Sequence, residues 1–119
     1  MAQMQKKSFL RPDETRSFDK GKVELVTLGG VTFGRATFQP GWKWSTSVKP
    51  LVKTDSCQAP HLQCLVGGRM HVVMDDGSEE EFGPGDVLLI PPGHDAWVVG
   101  NENVVAIDIT GMGDYAKAK

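Results

Sequence analysis

The sequence predicts an all-β domain, a sandwich or barrel of antiparallel strands, on three observations. Short runs of β-branched and aromatic residues recur about every ten residues from Val23 onward. Glycine and proline clusters punctuate them: Gly29-Gly30, Pro40-Gly41, Gly67-Gly68, Asp76-Gly77, Gly83-Pro84-Gly85 and Pro91-Pro92-Gly93. No window of ordinary helix length shows the apolar period of about 3.6 residues that a helix needs.

The elements follow in order. Residues 1–21 are polar and Pro12 interrupts any helix, so they are set apart as an N-terminal extension, either laid across a neighbouring subunit or mobile. Residues 22–110 are assigned to the barrel and 111–119 to a C-terminal tail. Lys22–Leu28 and Val31–Phe38 predict a hairpin about Gly29-Gly30. Trp42–Ser47 predicts a short strand, with Trp42 and Trp44 on one face, and Val48–Pro60 a long connection. His61–Val66 and Arg69–Met74 flank Gly67-Gly68, and Asp76-Gly77 is a strong hairpin signal leading into Ser78–Phe82. Asp86–Ile90, Ala96–Val99 and Val104–Ile109 complete the strands.

At 119 residues the chain has room for one core, and 39% apolar with 24% charged residues is the composition of a folded globular protein. A net charge of −2 and a pI near 5.9 give no electrostatic reason to expect nucleic acid or an anionic membrane as partner. Lys43, Lys49 and Lys53 cluster loosely, either to meet an anionic ligand or as a solvated loop face. No apolar run is long enough to span a membrane and no signal peptide is recognisable, so a cytoplasmic location is expected. Cys57 and Cys64 are too few for a disulfide framework, and in a reducing compartment both remain thiols.

The run Gly85-Asp86-Val87-Leu88-Leu89-Ile90-Pro91-Pro92-Gly93 resembles the second cupin motif, G-x5-P-x-G-x2-H-x3-N. His61–Gly68 resembles the end of the first, G-x5-H-x-H-x3,4-E-x6-G, with Gly68 on its closing glycine. The resemblance covers residues 22 to 110 and implies a double-stranded β-helix, the jelly-roll barrel of the small stand-alone cupins. Such barrels often pair through their edge strands, so a homodimer is expected. The resemblance also implies where metal ligands belong, and there the sequence departs. The first-motif ligand positions hold Asp55, Cys57 and His61 in place of His, His and Glu. The second-motif histidine position holds Ala96, with His94 two residues earlier.

Asp55, Cys57, His61 and His94 are nevertheless all metal-ligating residue types. If residues 55–61 run extended, the first three share one face. A Cys57/His61/His94 set completed by Asp55 or water suits zinc, iron or nickel rather than magnesium or calcium. The bland alternatives are a hydrogen-bonded pocket histidine at His61, a small buried apolar side chain at Cys57, and a turn-capping role for His94 with Asp95. Cys64 and His71 are assigned structural roles. Gln63 shares the face of His61, and Trp42, Trp44 and Trp97 are candidate walls of an apolar pocket at the barrel mouth. No Gly-x-Ser-x-Gly elbow, phosphate loop or G-x-G-x-x-G is present, and a Cys57–His61 nucleophilic pair lacks an evident orienting group beyond Asp55. Two functions remain open: a metal-dependent enzyme on a small organic substrate, or a non-catalytic barrel in which the same pocket senses a metabolite.

Overall fold

The computed structural model describes residues 3–110 and Ala116. Its strands are β1 (Glu14–Phe18), β2 (Gly21–Leu28), β3 (Val31–Phe38), β4 (His61–Gly67), β5 (Arg69–Met74), β6 (Glu79–Phe82), β7 (Val87–Ile90), β8 (His94–Val99) and β9 (Val104–Thr110), with two single-turn helices, α1 (Trp44–Ser47) and α2 (Lys49–Val52), between β3 and β4. The strands form two antiparallel sheets, ordered β1-β2-β3-β9-β4-β7 and β6-β5-β8. No helix among the described residues is long and apolar enough to cross a membrane.

The chain passes from one sheet to the other at almost every turn of its second half. β4 and β5 are consecutive yet belong to different sheets, so Gly67-Gly68 is a corner. Gly68 has a φ of 77°, and a Cβ there would run into the carbonyl oxygen of Asn103. Only β5 and β6 pair as a hairpin in this half, through a turn in which Asp76 Oδ1 accepts from the Ser78 backbone N–H at 2.9 Å. β6 returns to the large sheet as β7, β7 to the small one as β8, and β8 to the large one as β9. This repeated crossing makes a jelly-roll of two sheets over one core.

Alternation fills that core. His61, Gln63 and Leu65 of β4 are buried, as are Leu88 and Ile90 of β7 and Val104, Ala106 and Asp108 of β9. The opposite face carries Val87 and Leu89, 73% and 77% exposed on the edge strand.

Two segments differ from the sequence expectation. Within the expected strand Trp42–Ser47, Lys43 bridges to Trp97 but Trp44–Ser47 is a helical turn, because Ser47 N–H closes on Lys43 O at 2.8 Å and Val48 N–H on Trp44 O at 2.9 Å. Asp95 Oδ1 accepts from Ser45 N–H at 3.1 Å and ties the turn to β8. Tertiary docking overrides the strand propensity of tryptophan here. The second difference is β1. Residues 14–18, expected in the extension, pair with β2 from Glu14 opposite Leu25 to Phe18 opposite Gly21. An edge strand exposed on one face needs little apolar patterning, which is why its polar sequence concealed it.

Gly68→Ala is expected to destabilise the barrel by about 2–4 kcal/mol, from a positive φ combined with a backbone clash. Chemical denaturation checks this; a midpoint equal to wild type would show that the corner can relax.

Candidate metal centre

Three elements bring three ligand types to one point. His61 opens β4 on the inward face of the large sheet, and His94 opens β8 on the inward face of the small one. Cys57 lies in the connection before β4 and is pinned to β8 by backbone bonds. Its N–H donates to His94 O at 2.7 Å, and its carbonyl accepts from Gly93 N–H at 2.7 Å. Gly93 has a φ of 93°, which strains any other residue, and a Cβ there would stand 2.9 Å from Asp75 Oδ2. The Cys57 Sγ and one ring nitrogen from each histidine lie within 4.8 Å of one another. Cys57 Sγ is 3.9 Å from His61 Nε2, and the two imidazole rings meet edge to face at 5.3 Å. All three residues are buried.

Both rings are oriented from behind. His61 Nδ1 donates to Asp108 Oδ2 at 2.9 Å, which turns Nε2 toward Cys57. The same carboxylate oxygen accepts from Gln63 Nε2 at 3.1 Å. Asp108 is fully buried, on the inward face of β9 opposite Gln63. His94 Nδ1 donates to Pro91 O at 2.8 Å, so its Nε2 is the nitrogen left for a ligand. A carboxylate or carbonyl behind a histidine is the arrangement that fixes tautomer and ring angle in metal sites.

Burial drives the His94 pKa down to about 4, so at neutral pH this imidazole is uncharged and able to ligate. Burial also pushes the Cys57 thiol up to about 11. Cys57 is therefore a thiol at neutral pH in the metal-free protein, which removes the basis for an activated Cys57–His61 nucleophile. A metal ion would displace its proton on binding.

The three residues line a cavity of about 20 Å³, walled by Phe38, Trp42, Trp44, Met70 and Ile90. That volume holds about one water. Two buried polar atoms of its lining, Trp42 Nε1 and Gln63 Oε1, have no hydrogen-bond partner among the described residues. A second cavity of about 210 Å³ lies across Ile90, with Glu79, Glu80 and Leu89 in its wall.

The structure thus brings together Cys57, His61, His94, Gln63, Trp42 and Trp44 and leaves out two expected members. Asp55 is exposed and outside the cluster. Residues 55–61 are not a regular strand: Thr54 Oγ1 donates to Ser56 O, and Ser56 Oγ to Asp75 Oδ2, which bends the chain before Cys57. Trp97 points outward, as alternation from His94 and Ala96 requires, and stacks on His71 at 4.8 Å with Lys43 Nζ 5.1 Å from its ring. His71, assigned no partner from sequence, also lies 3.5 Å from Glu79. Cys64 sits on the outer side of β4, half-buried, opposite Val87. Asp108 was missed. Its signal is a lone carboxylate at an inward position of the apolar run Val104–Ile109.

Comparison with known proteins places the fold. An oxalate decarboxylase from Lactobacillus farciminis, solved as a formate complex, matches 86% of this chain at 18% identity and a TM-score of 0.60; the chain spans 32% of that protein's length. A protein of unknown function from Rhizobium leguminosarum bv. viciae matches 92% of this chain and 97% of its own at 20% identity, with a TM-score of 0.60. A cupin-like protein from Thermotoga maritima matches 76% of this chain and 67% of its own at 18% identity, with a TM-score of 0.53. No protein-family profile matches the sequence, and neither does any curated protein. The chain has the cupin jelly-roll fold.

The depressed His94 pKa sets a pH dependence. Because the folded value lies below the ordinary 6.5, the unfolded chain takes up the proton first as pH falls. The stability contribution is present above pH 6.5 and is lost as pH falls toward 4. In metal-stripped protein this loss should amount to about 1–3 kcal/mol. Denaturation midpoints across that range check it, and His94→Gln should flatten the curve; an unchanged curve in the variant would assign the dependence to other groups.

Proposed function

We propose that this cupin barrel is a metalloprotein, with a transition-metal ion held by Cys57 Sγ, His61 Nε2 and His94 Nε2, acting as a metal-dependent enzyme on a small substrate. The observation that carries this reading is the convergence of three buried soft or borderline donors, with both imidazoles pre-oriented by acceptors at Nδ1. The residues fit such an ion: a thiolate with two neutral imidazoles suits zinc, iron or nickel and does not suit magnesium or calcium. Trp42 Nε1 supplies an unused donor in the same cavity for the negative charge a thiolate brings.

Bound there with fewer than its full set of ligands, the ion supplies Lewis-acid or water-activating chemistry. The chain's own residues do the rest. Asp108 and the Pro91 carbonyl hold the rings, and the Trp42, Trp44, Phe38 and Ile90 side chains keep bulk water out. Small-molecule sites usually run to about 300–1,000 Å³. The present cavity of about 20 Å³ therefore admits a ligand of water or diatomic size. A larger organic substrate would require part of this wall, Trp42 and Trp44 included, to move.

Elemental analysis of protein purified without a metal-affinity tag tests the reading. Near-stoichiometric metal is expected, and its loss in the Cys57→Ala, His61→Ala double variant. Asp108→Asn removes the negative charge behind His61 and should weaken metal affinity by about 10–100-fold. Failure of the wild-type protein to retain or take up any transition metal, with its fold intact by circular dichroism, would overturn the proposal.

A further inference from the structure

Gln63 carries a feature that the three-ligand reading does not use. It lies two residues after His61 on the same inward face of β4 and is 5% exposed. Its Nε2 donates to Asp108 Oδ2, which settles the amide's orientation: the nitrogen is on the carboxylate and Oε1 is turned away from it. That oxygen is buried, has no hydrogen-bond partner among the described residues, and belongs to a side chain lining the Cys57–His61–His94 cavity. A buried carbonyl oxygen without a donor is costly to keep, and a cation in the cavity answers it.

We propose that Gln63 Oε1 is the fourth, weak donor of the centre and that the resulting set selects copper. The inference rests on the metal site proposed above and replaces its zinc, iron or nickel assignment; a weak amide donor is displaceable by water or a small ligand, so the open position that reading needs is kept. One thiolate, two imidazoles and a weak amide oxygen are the donors that copper electron-transfer sites combine, and copper(II) exceeds zinc, nickel and iron(II) in affinity for nitrogen and sulfur ligands. A single Asp108 oxygen accepts from both His61 Nδ1 and Gln63 Nε2, which leaves His61 Nε2 and Gln63 Oε1 as the free ends of two side chains lining one cavity. Met70, the other sulfur in the lining, is explained as apolar wall, because a thioether in an apolar setting needs no partner.

Metal-stripped, reduced protein is titrated anaerobically with copper(II), zinc(II) and cobalt(II), separately and in competition. Copper is expected to displace zinc and to give an intense visible thiolate-to-copper band that is absent in Cys57→Ser. Gln63→Leu should shift that band, raise the reduction potential and weaken copper(II) binding severalfold. Gln63→Met, which keeps a donor of similar reach, should bind like wild type with a shifted band, and serves if the leucine variant misfolds. Zinc retained against copper, no intense band, or a shift in Met70→Leu in place of the Gln63 variants would overturn the inference. In those cases cobalt or zinc binding leaves the parent metal site standing; binding of no metal removes both.

Discussion

A carboxylate sealed from water has to be met by donors, and one oxygen of the fully buried Asp108 side chain accepts from both His61 Nδ1 and Gln63 Nε2. An unanswered charge at that depth costs several kcal/mol, roughly, even after relaxation. The interaction thus constrains more than one ring. Asp108 lies on β9, which is bonded on one side to β3 and on the other to β4, in the middle of the large sheet. The His61–Asp108–Gln63 bonds therefore cross the β4–β9 ladder on its inward face and tie the site's geometry to the sheet's register. A slip of one residue in β4 would turn both partners outward and strand the carboxylate.

The second half of the site depends on the turns between sheets. His94 can face His61 only because Pro91-Pro92-Gly93 carries the chain from β7 across to β8 and delivers it with the imidazole inward. The same corner anchors Cys57, whose backbone exchanges bonds with Gly93 and His94. Two of the three candidate ligands are thus held by one turn, and the third by the buried carboxylate across the barrel. The candidate ligands are braced from both sheets, which is what pre-orientation requires.

Much of the fold was legible in the sequence, and the reason is the turns. Glycine and proline at Gly67-Gly68, Asp76-Gly77 and Pro91-Pro92-Gly93 state backbone requirements that only a few architectures satisfy, and period-two alternation in β4, β8 and β9 does the rest. Which strands change sheet was less visible, since a corner and a hairpin use the same residues. β1 escaped because an edge strand need not be apolar, and Trp42–Ser47 because docking onto β8 outweighs local propensity. At the site, Cys57, His61 and His94 were singled out by residue type at or beside the motif positions, and Gln63 by alternation from His61; the structure brings these four side chains to one cavity. Asp55 was included on an assumption of extended backbone that the Thr54 and Ser56 hydrogen bonds break. Asp108 is distant in sequence from every other member of the group, and no local pattern could pair it with His61.

The fold alone is a weak guide to chemistry at 18–20% identity, since one barrel hosts many reactions. Charge is a better one. Relative to the ligand set that the cupin resemblance implies, Cys57 provides the anion that a glutamate would have provided, so a divalent ion with one thiolate and two neutral imidazoles keeps a single net positive charge. Asp108, hydrogen-bonded through His61, brings the wider assembly to neutrality. That matters in a cavity of about one water's volume, where an uncompensated charge finds little solvent to screen it. Under the proposed metal reading, a thiolate in place of glutamate also moves the donors from hard to soft and shifts metal preference with it. On the same reading, the substituted motif is a donor set of the same charge as the one the resemblance implies.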